Sequence, residues 1–105
     1  MPHRLNLIQD MLKKNPNDSF LNYCVALELK KNNQIDKSIE ILEKLILLNH
    51  LYLPSYFQLG KLYEEKKLTE KAYEIYSKGI EIATIQKDLK TQNELKDAMM
   101  QLDEE

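Results

Sequence analysis

Apolar residues recur along this chain at helical intervals, and clusters of polar residues interrupt them at regular points. From Arg4 to Lys14, the positions Leu5, Ile8, Met11 and Leu12 form one buried stripe of a first helix. Lys13 and Lys14 suit its C-terminal turn, and Asn15-Pro16-Asn17 stops it. Asp18 or Ser19 caps a second helix that runs to about Lys31, with Leu21, Val25, Ala26 and Leu29 inward, and Asn32-Asn33 closes it. A third helix starts near Ile35-Asp36. Its Ile39, Ile41, Leu42, Leu45, Ile46 and Leu48 spread over a wide face, as in a helix packed on two sides. Asn49-His50 breaks it, and Pro54 opens a fourth helix that reaches about Lys66. After the turn Lys67-Leu68-Thr69, with Thr69 as cap, a fifth helix from Glu70 to about Gln86 buries Ala72, Tyr73, Ile75, Tyr76, Ile80 and Ile82. Asp88 marks the next break. Leu89 to Leu102 forms a last helix with Leu95, Ala98, Met99 and Leu102 on one face, before a frayed acidic end, Asp103-Glu104-Glu105. The pattern predicts an all-α chain of about six helices joined by short turns.

These helices repeat. A shift of 34 residues places Val25 on Leu59, Ala26 on Gly60, Leu29 on Tyr63, Ser38 on Ala72, Leu42 on Tyr76 and Ile46 on Ile80, large on large and small on small. The second copy holds the pattern in full: Tyr56-x2-Leu59-Gly60-x2-Tyr63, then Ala72-x3-Tyr76. In this spacing and in these residue types the chain resembles the tetratricopeptide repeat family. The run Gly79-Ile80-Glu81-Ile82-Ala83 with one more helix is similar to the short bacterial members. The resemblance implies a right-handed stack of antiparallel helix pairs, an α-solenoid treated as one domain. Within it, residues 4–14 are a half repeat, 19–52 and 53–86 two full repeats, and 89–102 a capping helix with a polar outer face. The first repeat departs from the pattern, with Asn22 where an aromatic stands and Leu45 at a position usually small. The packing code falls to Ala26, Ser38, Tyr56, Leu59, Gly60, Tyr63, Ala72, Tyr76 and Gly79. Gly60 and Gly79 lie mid-helix, where glycine costs about 1 kcal/mol relative to alanine, so each needs a close helix contact as its reason.

Composition agrees with a globular helical chain. Of the 105 residues 43% are apolar and 30% charged, while two Gly and three Pro leave little turn chemistry for a many-stranded sheet. The net charge of -2, with both signs dispersed, offers no field for nucleic acid or an anionic membrane. Cys24 is the only cysteine, which excludes an internal disulfide and fits a reducing compartment. No signal-peptide core or apolar span is present, so the cytoplasm is the expected location.

Little here supports catalysis. Cys24, His3 and His50 sit on a helix, a terminus and a loop at unrelated spacings, so they form neither a nucleophile–base pair nor a zinc set. No glycine-rich phosphate loop exists, and no cofactor is expected. The chemistry left is surface recognition. In the resembled family the first helix of each repeat lines a concave groove, which implies a partner-binding set of Phe20, Tyr23, Cys24, Leu27 and Lys31, then Phe57, Gln58, Lys61, Glu64 and Glu65. On a helical projection Phe20, Tyr23 and Leu27 share a face offset from the core stripe. That face reads either as an open apolar binding surface or as core covered by the first or last helix. Lys30, Lys31, Glu64, Glu65, Lys66 and Lys67 gather at helix ends and read as a solvated face. A carboxylate clamp of the family's chaperone-binding type is not expected, because Tyr23 and Leu27 hold its lysine and asparagine places. The expected function is a non-enzymatic module that binds another protein or peptide in this groove. The alternative is a structural protein that self-associates, as a homodimer, through the same surface.

Overall fold

The computed structural model describes residues 2–103, with side chains from Arg4 onward. Met1, the His3 side chain, and Glu104 and Glu105 of the expected acidic end lie outside the described residues. Among the described residues, six helices and no strand are present: α1 (Pro2–Lys14), α2 (Ser19–Lys31), α3 (Ile35–Leu48), α4 (Pro54–Glu65), α5 (Thr69–Ile85) and α6 (Leu89–Asp103). Their contacts divide the chain into two compact units, residues 1–52 and 53–105, each of three successive helices.

In the first unit α1 and α3 both pack on α2. Asp18 caps α2 by accepting from the Leu21 amide at 2.9 Å. The core is Val25, Ala26, Leu29, Leu42 and Leu45, all buried, whereas α1 contributes only half-buried Leu5, Ile8 and Leu12. Met11, expected in that stripe, is exposed, and so is Leu48 at the end of α3. Both stand in the last turn of their helices. Asn22, in the place of the family aromatic, is buried and satisfied: its amide donates to the carbonyls of Pro16 at 3.1 Å and Asp18 at 2.8 Å. The Ser38 hydroxyl donates to the Ala26 carbonyl at 2.7 Å and ties α3 to α2.

The second unit repeats this construction with other side chains. α4 and α6 pack on α5, and Tyr56, Leu59, Leu62, Tyr63, Ala72, Tyr76, Ala83, Leu95, Ala98 and Leu102 are buried. A Cβ at Gly60 would overlap the edge of the Tyr76 ring, which is fully buried. One at Gly79 would meet Leu95 Cδ1 and Tyr56 Cβ, each at 2.8 Å. Both glycines therefore mark close helix approaches. Tyr73, expected in the core, is exposed, because the 3.6-residue turn carries it past the stripe that Ala72 and Tyr76 define. Thr69 is not a cap: it is the first residue of α5, and Leu68 precedes it without a side-chain cap. Asp88 caps α6 by accepting from the Thr91 amide at 3.1 Å and the Thr91 hydroxyl at 2.8 Å. These bonds, the amide's foremost, hold its carboxyl below the usual range.

The helix ends share one device. α2, α4 and α5 each stop on a residue in the left-handed region: Asn33 (φ 63°), Lys67 (φ 60°) and Lys87 (φ 59°). Around each, two backbone bonds close the last turn: Asn33 to Lys30 and Gln34 to Leu29, Lys67 to Glu64 and Leu68 to Tyr63, Lys87 to Thr84 and Asp88 to Ala83. These are Schellman motifs, with lysine twice in the place that glycine prefers.

Two outcomes follow from this packing. Lys67→Gly should stabilise the protein by up to about 1 kcal/mol, since the left-handed conformation costs a side chain roughly 1–2 kcal/mol and glycine's extra unfolded-state entropy returns part of it; denaturant unfolding measures it. Gly60→Ala should destabilise by about 1–3 kcal/mol through overpacking against Tyr76. The same change in a Tyr76→Leu background, which copies the Ala26 and Leu42 pairing of the first unit, should cost clearly less; equal costs in the two backgrounds would separate Gly60 from Tyr76.

Candidate functional site

The residues expected to bind a partner lie on α2 in the first unit and α4 in the second, and each face is built differently. On α2, Phe20 is exposed at 61%, Tyr23, Cys24 and Leu27 are half-buried, and Lys31 is exposed. The cover over Tyr23 comes from a residue the sequence did not point to. Tyr52, after α3, meets Tyr23 edge to face at 5.7 Å and 64°, an arrangement worth about 0.5–1.5 kcal/mol beyond burial. Cys24 sits beside these rings. Burial raises its thiol pKa, Arg4 opposes that, and Asp18 and Glu28 add to it, a shift opposite to the lowering that activates a thiol. Glu28, one turn on, is buried and takes a salt bridge from Arg4 Nε at 3.2 Å, while its Oε2 makes no hydrogen bond. This pair joins α1 to α2.

On α4 the expected residues come together. Phe57, Gln58, Lys61 and Glu64 are all half-buried, and Glu65 is exposed at the helix end. Lys61 Nζ lies 5.5 Å from the centre of the Phe57 ring and 3.8 Å from Glu64 Oε2. The Tyr76 hydroxyl, reaching from α5, donates to the same Glu64 oxygen, and the Phe57 and Tyr76 rings stand 6.5 Å apart. Burial, then the hydrogen bond to Glu64 and its charge, push the Tyr76 phenol far above its ordinary pKa, so it remains a donor. Glu64 is thus no free member of a solvated helix end, as its neighbours in sequence suggested, but an ordered carboxylate held from beneath.

α6 supplies the facing wall. Phe57 and Lys61 line a cleft of about 200 Å³ with Glu94, Asp97, Ala98 and Gln101. Glu94 and Asp97 are exposed on α6, the helix expected to carry a polar outer face. The repeat pattern ends before α6, so nothing in it fixed which of its polar residues line a cleft with α4. A larger depression of about 750 Å³ lies in the first unit, lined by α1 residues Asn6, Gln9, Asp10, Leu12 and Lys13 and by Pro16, away from every expected binding residue. Among the described residues no group of three or more His, Cys, Asp or Glu is placed to hold a metal, and no helix is long and apolar enough to cross a membrane.

Short helices in antiparallel pairs, with small residues at the crossings and Schellman turns at Asn33 and Lys67, 34 residues apart, define a helical-repeat protein. The family profile described as tetratricopeptide repeat matches residues 53–86. A tetratricopeptide repeat domain protein from Salinibacter ruber, solved by NMR, is 33% identical, with a TM-score of 0.80 over 83% of this chain and 88% of its own. A protein from Bordetella parapertussis, 17% identical, superposes with a TM-score of 0.83 over 95% of this chain and 87% of that one. YrrB, described as a tetratricopeptide repeat protein with an unusual peptide-binding site, is 14% identical, with a TM-score of 0.65 over 92% of this chain and 57% of its own. A search of curated proteins finds no match. The chain belongs to the tetratricopeptide repeat family.

The tie between core and surface at Tyr76 is open to test. Tyr76→Phe removes a hydrogen bond to a half-buried carboxylate and should cost about 1.5–3 kcal/mol. Because folding holds this phenol protonated, its contribution is whole below about pH 10 and falls away above that. Unfolding curves should therefore show a shallower alkaline loss of stability in the variant than in the native protein.

Proposed function

We propose that this protein is a non-enzymatic interaction module that binds peptide segments of another protein on the first-helix face of a repeat, α4 in the second unit and, taken by itself, α2 in the first. The observation that carries this reading is the ordered cluster of Phe57, Lys61 and Glu64 beside the α4–α6 cleft. An aromatic ring, an ammonium and a carboxylate stay half-exposed there, and the carboxylate is held by a fully buried tyrosine. A surface serving only solubility has no need of a carboxylate fixed from the core; a recognition surface gains from one, because ordering it in advance lowers the entropy lost on binding. On α2, exposed Phe20 with half-buried Tyr23 and Leu27 offers apolar contact, the kind of anchor that dominates peptide affinity.

The family supports the same reading, and YrrB, a relative in fold, carries an unusual peptide-binding site of its own. A lone, half-buried thiol supports a reducing compartment such as the cytoplasm as the site of action.

Selection from a random peptide library displayed on phage, followed by NMR titration of the selected peptide into labelled protein, tests the assignment. Shifts should concentrate at Phe57, Gln58, Lys61 and Glu64 on α4, and at Phe20, Tyr23 and Leu27 on α2. Shifts restricted to α3 and to the outward residues of α5 would overturn it.

A further inference from the structure

We infer that the cleft between α4 and α6 takes one cationic side chain, a lysine or arginine, from the bound segment, and that Lys61 occupies this place in the free protein. The inference rests on the reading of α4 as a peptide-binding face and specifies what that face selects.

The size of the cleft points to a single side chain. Its volume of about 200 Å³ falls below the roughly 300–1,000 Å³ of small-molecule sites. Its charge points to a cation. Glu94 and Asp97 stand on the α6 wall. Against these two carboxylates the cleft lining sets a single cation, Lys61, and that ammonium is already paired with Glu64, a carboxylate outside the lining that Tyr76 holds. An incoming carboxylate would meet Glu94 and Asp97 with only that already paired ammonium to receive it, and an apolar side chain would strip water from carboxylates without replacing it. A cation gains from both walls and from the Phe57 ring.

The second observation is that a lysine of the cleft lining already sets its ammonium against a ring and a carboxylate. Lys61 Nζ lies over Phe57 and near Glu64, and its side chain is only 34% exposed, with that of Glu64 at 21%. A ring face and a carboxylate arranged around an ammonium are the elements that recognise a ligand cation, and here they are occupied from within. Lys61 has a long flexible stem, so its head moves to solvent when a partner's cation enters, at the cost of a partly exposed ion pair of small worth. Lys61 is then a competitor of the ligand and not one of its anchors.

That role sets the sign of the test. Labelled protein is titrated with three capped alanine–leucine peptides, identical except for a central arginine, glutamine or glutamate. The arginine peptide should shift the Phe57 ring, the Ala98 methyl and the Gln101 side-chain amide, and bind about two- to fivefold tighter than the glutamine peptide, as for one exposed ion pair or cation–π contact. Lys61→Ala should tighten arginine-peptide binding by a similar factor, and Glu94→Gln with Asp97→Asn should weaken it, with unchanged melting temperatures because both acidic residues are exposed. Tightest binding by the glutamate peptide, or weaker arginine-peptide binding by Lys61→Ala, overturns the cation site and leaves α4 as a peptide surface. If none of the three moves these resonances while a library-selected peptide moves Phe57 and Gln58, the cation site alone falls. If no peptide moves them, both readings fall.

Discussion

Two helices that cross closely leave room for only a fixed volume between them, and the rest of each unit is arranged around how that volume is divided. In the first unit the crossing positions hold Ala26 and Ser38, with Leu42 one turn on. Thirty-four residues later they hold Gly60 and Ala72, with Tyr76 in the place of Leu42. The larger ring is admitted by deleting a Cβ, since any side chain at Gly60 would enter it. The crossing in the first unit is fastened by a hydroxyl on a carbonyl, Ser38 to Ala26. In the second it is fastened by shape alone, and the polar group has moved to the far end of the ring. There it reaches out of the core to Glu64. A packing substitution in the interior thereby becomes a charge-positioning device on the surface.

The helices, their order and the small residues at their crossings were legible in the sequence, because period and side-chain volume are local properties that survive folding. Gly60, Gly79, Ala26 and Ala72 could be read as packing residues from their places in helical stripes, and all are buried. What escaped was whatever depends on a neighbour the pattern does not specify. Lys67 and Lys87 adopt the left-handed conformation although lysine carries no turn signal, since the hydrogen bonds of the Schellman closure outweigh the strain. Asn22 looked like a defect in the repeat and is a satisfied buried amide, because the loop carbonyls of Pro16 and Asp18 happen to face it. Tyr73 and Leu48 were read inward from hydrophobicity alone, yet they lie just off their stripes.

The α4 face was half legible for a related reason. Its residues could be named, but their grouping depends on two partners from outside the helix, Tyr76 beneath and α6 opposite. Glu64 could be read as a groove residue or as part of a solvated charge run. Only the phenol that holds it separates the two readings.

The two units also show why equal positions in a repeat need not carry equal chemistry. Tyr23, Leu27 and Lys30 on α2 stand 34 residues before Phe57, Lys61 and Glu64 on α4. The aromatic is common to both. On α2 it lies against Tyr52, the next position is apolar, and the third bears a cation. On α4 the corresponding series ends in a carboxylate, and the residue beneath it is Tyr76 where the first unit has Leu42, which has no hydrogen bond to give. A carboxylate at position 30 would therefore lack the donor that orders the one at 64, and a leucine at 76 would leave Glu64 to sample solvent. The sign of the charge on each face and the residue in the crossing below it go together. The charge each face presents is thus set partly from the core, one helix away from the surface that carries it.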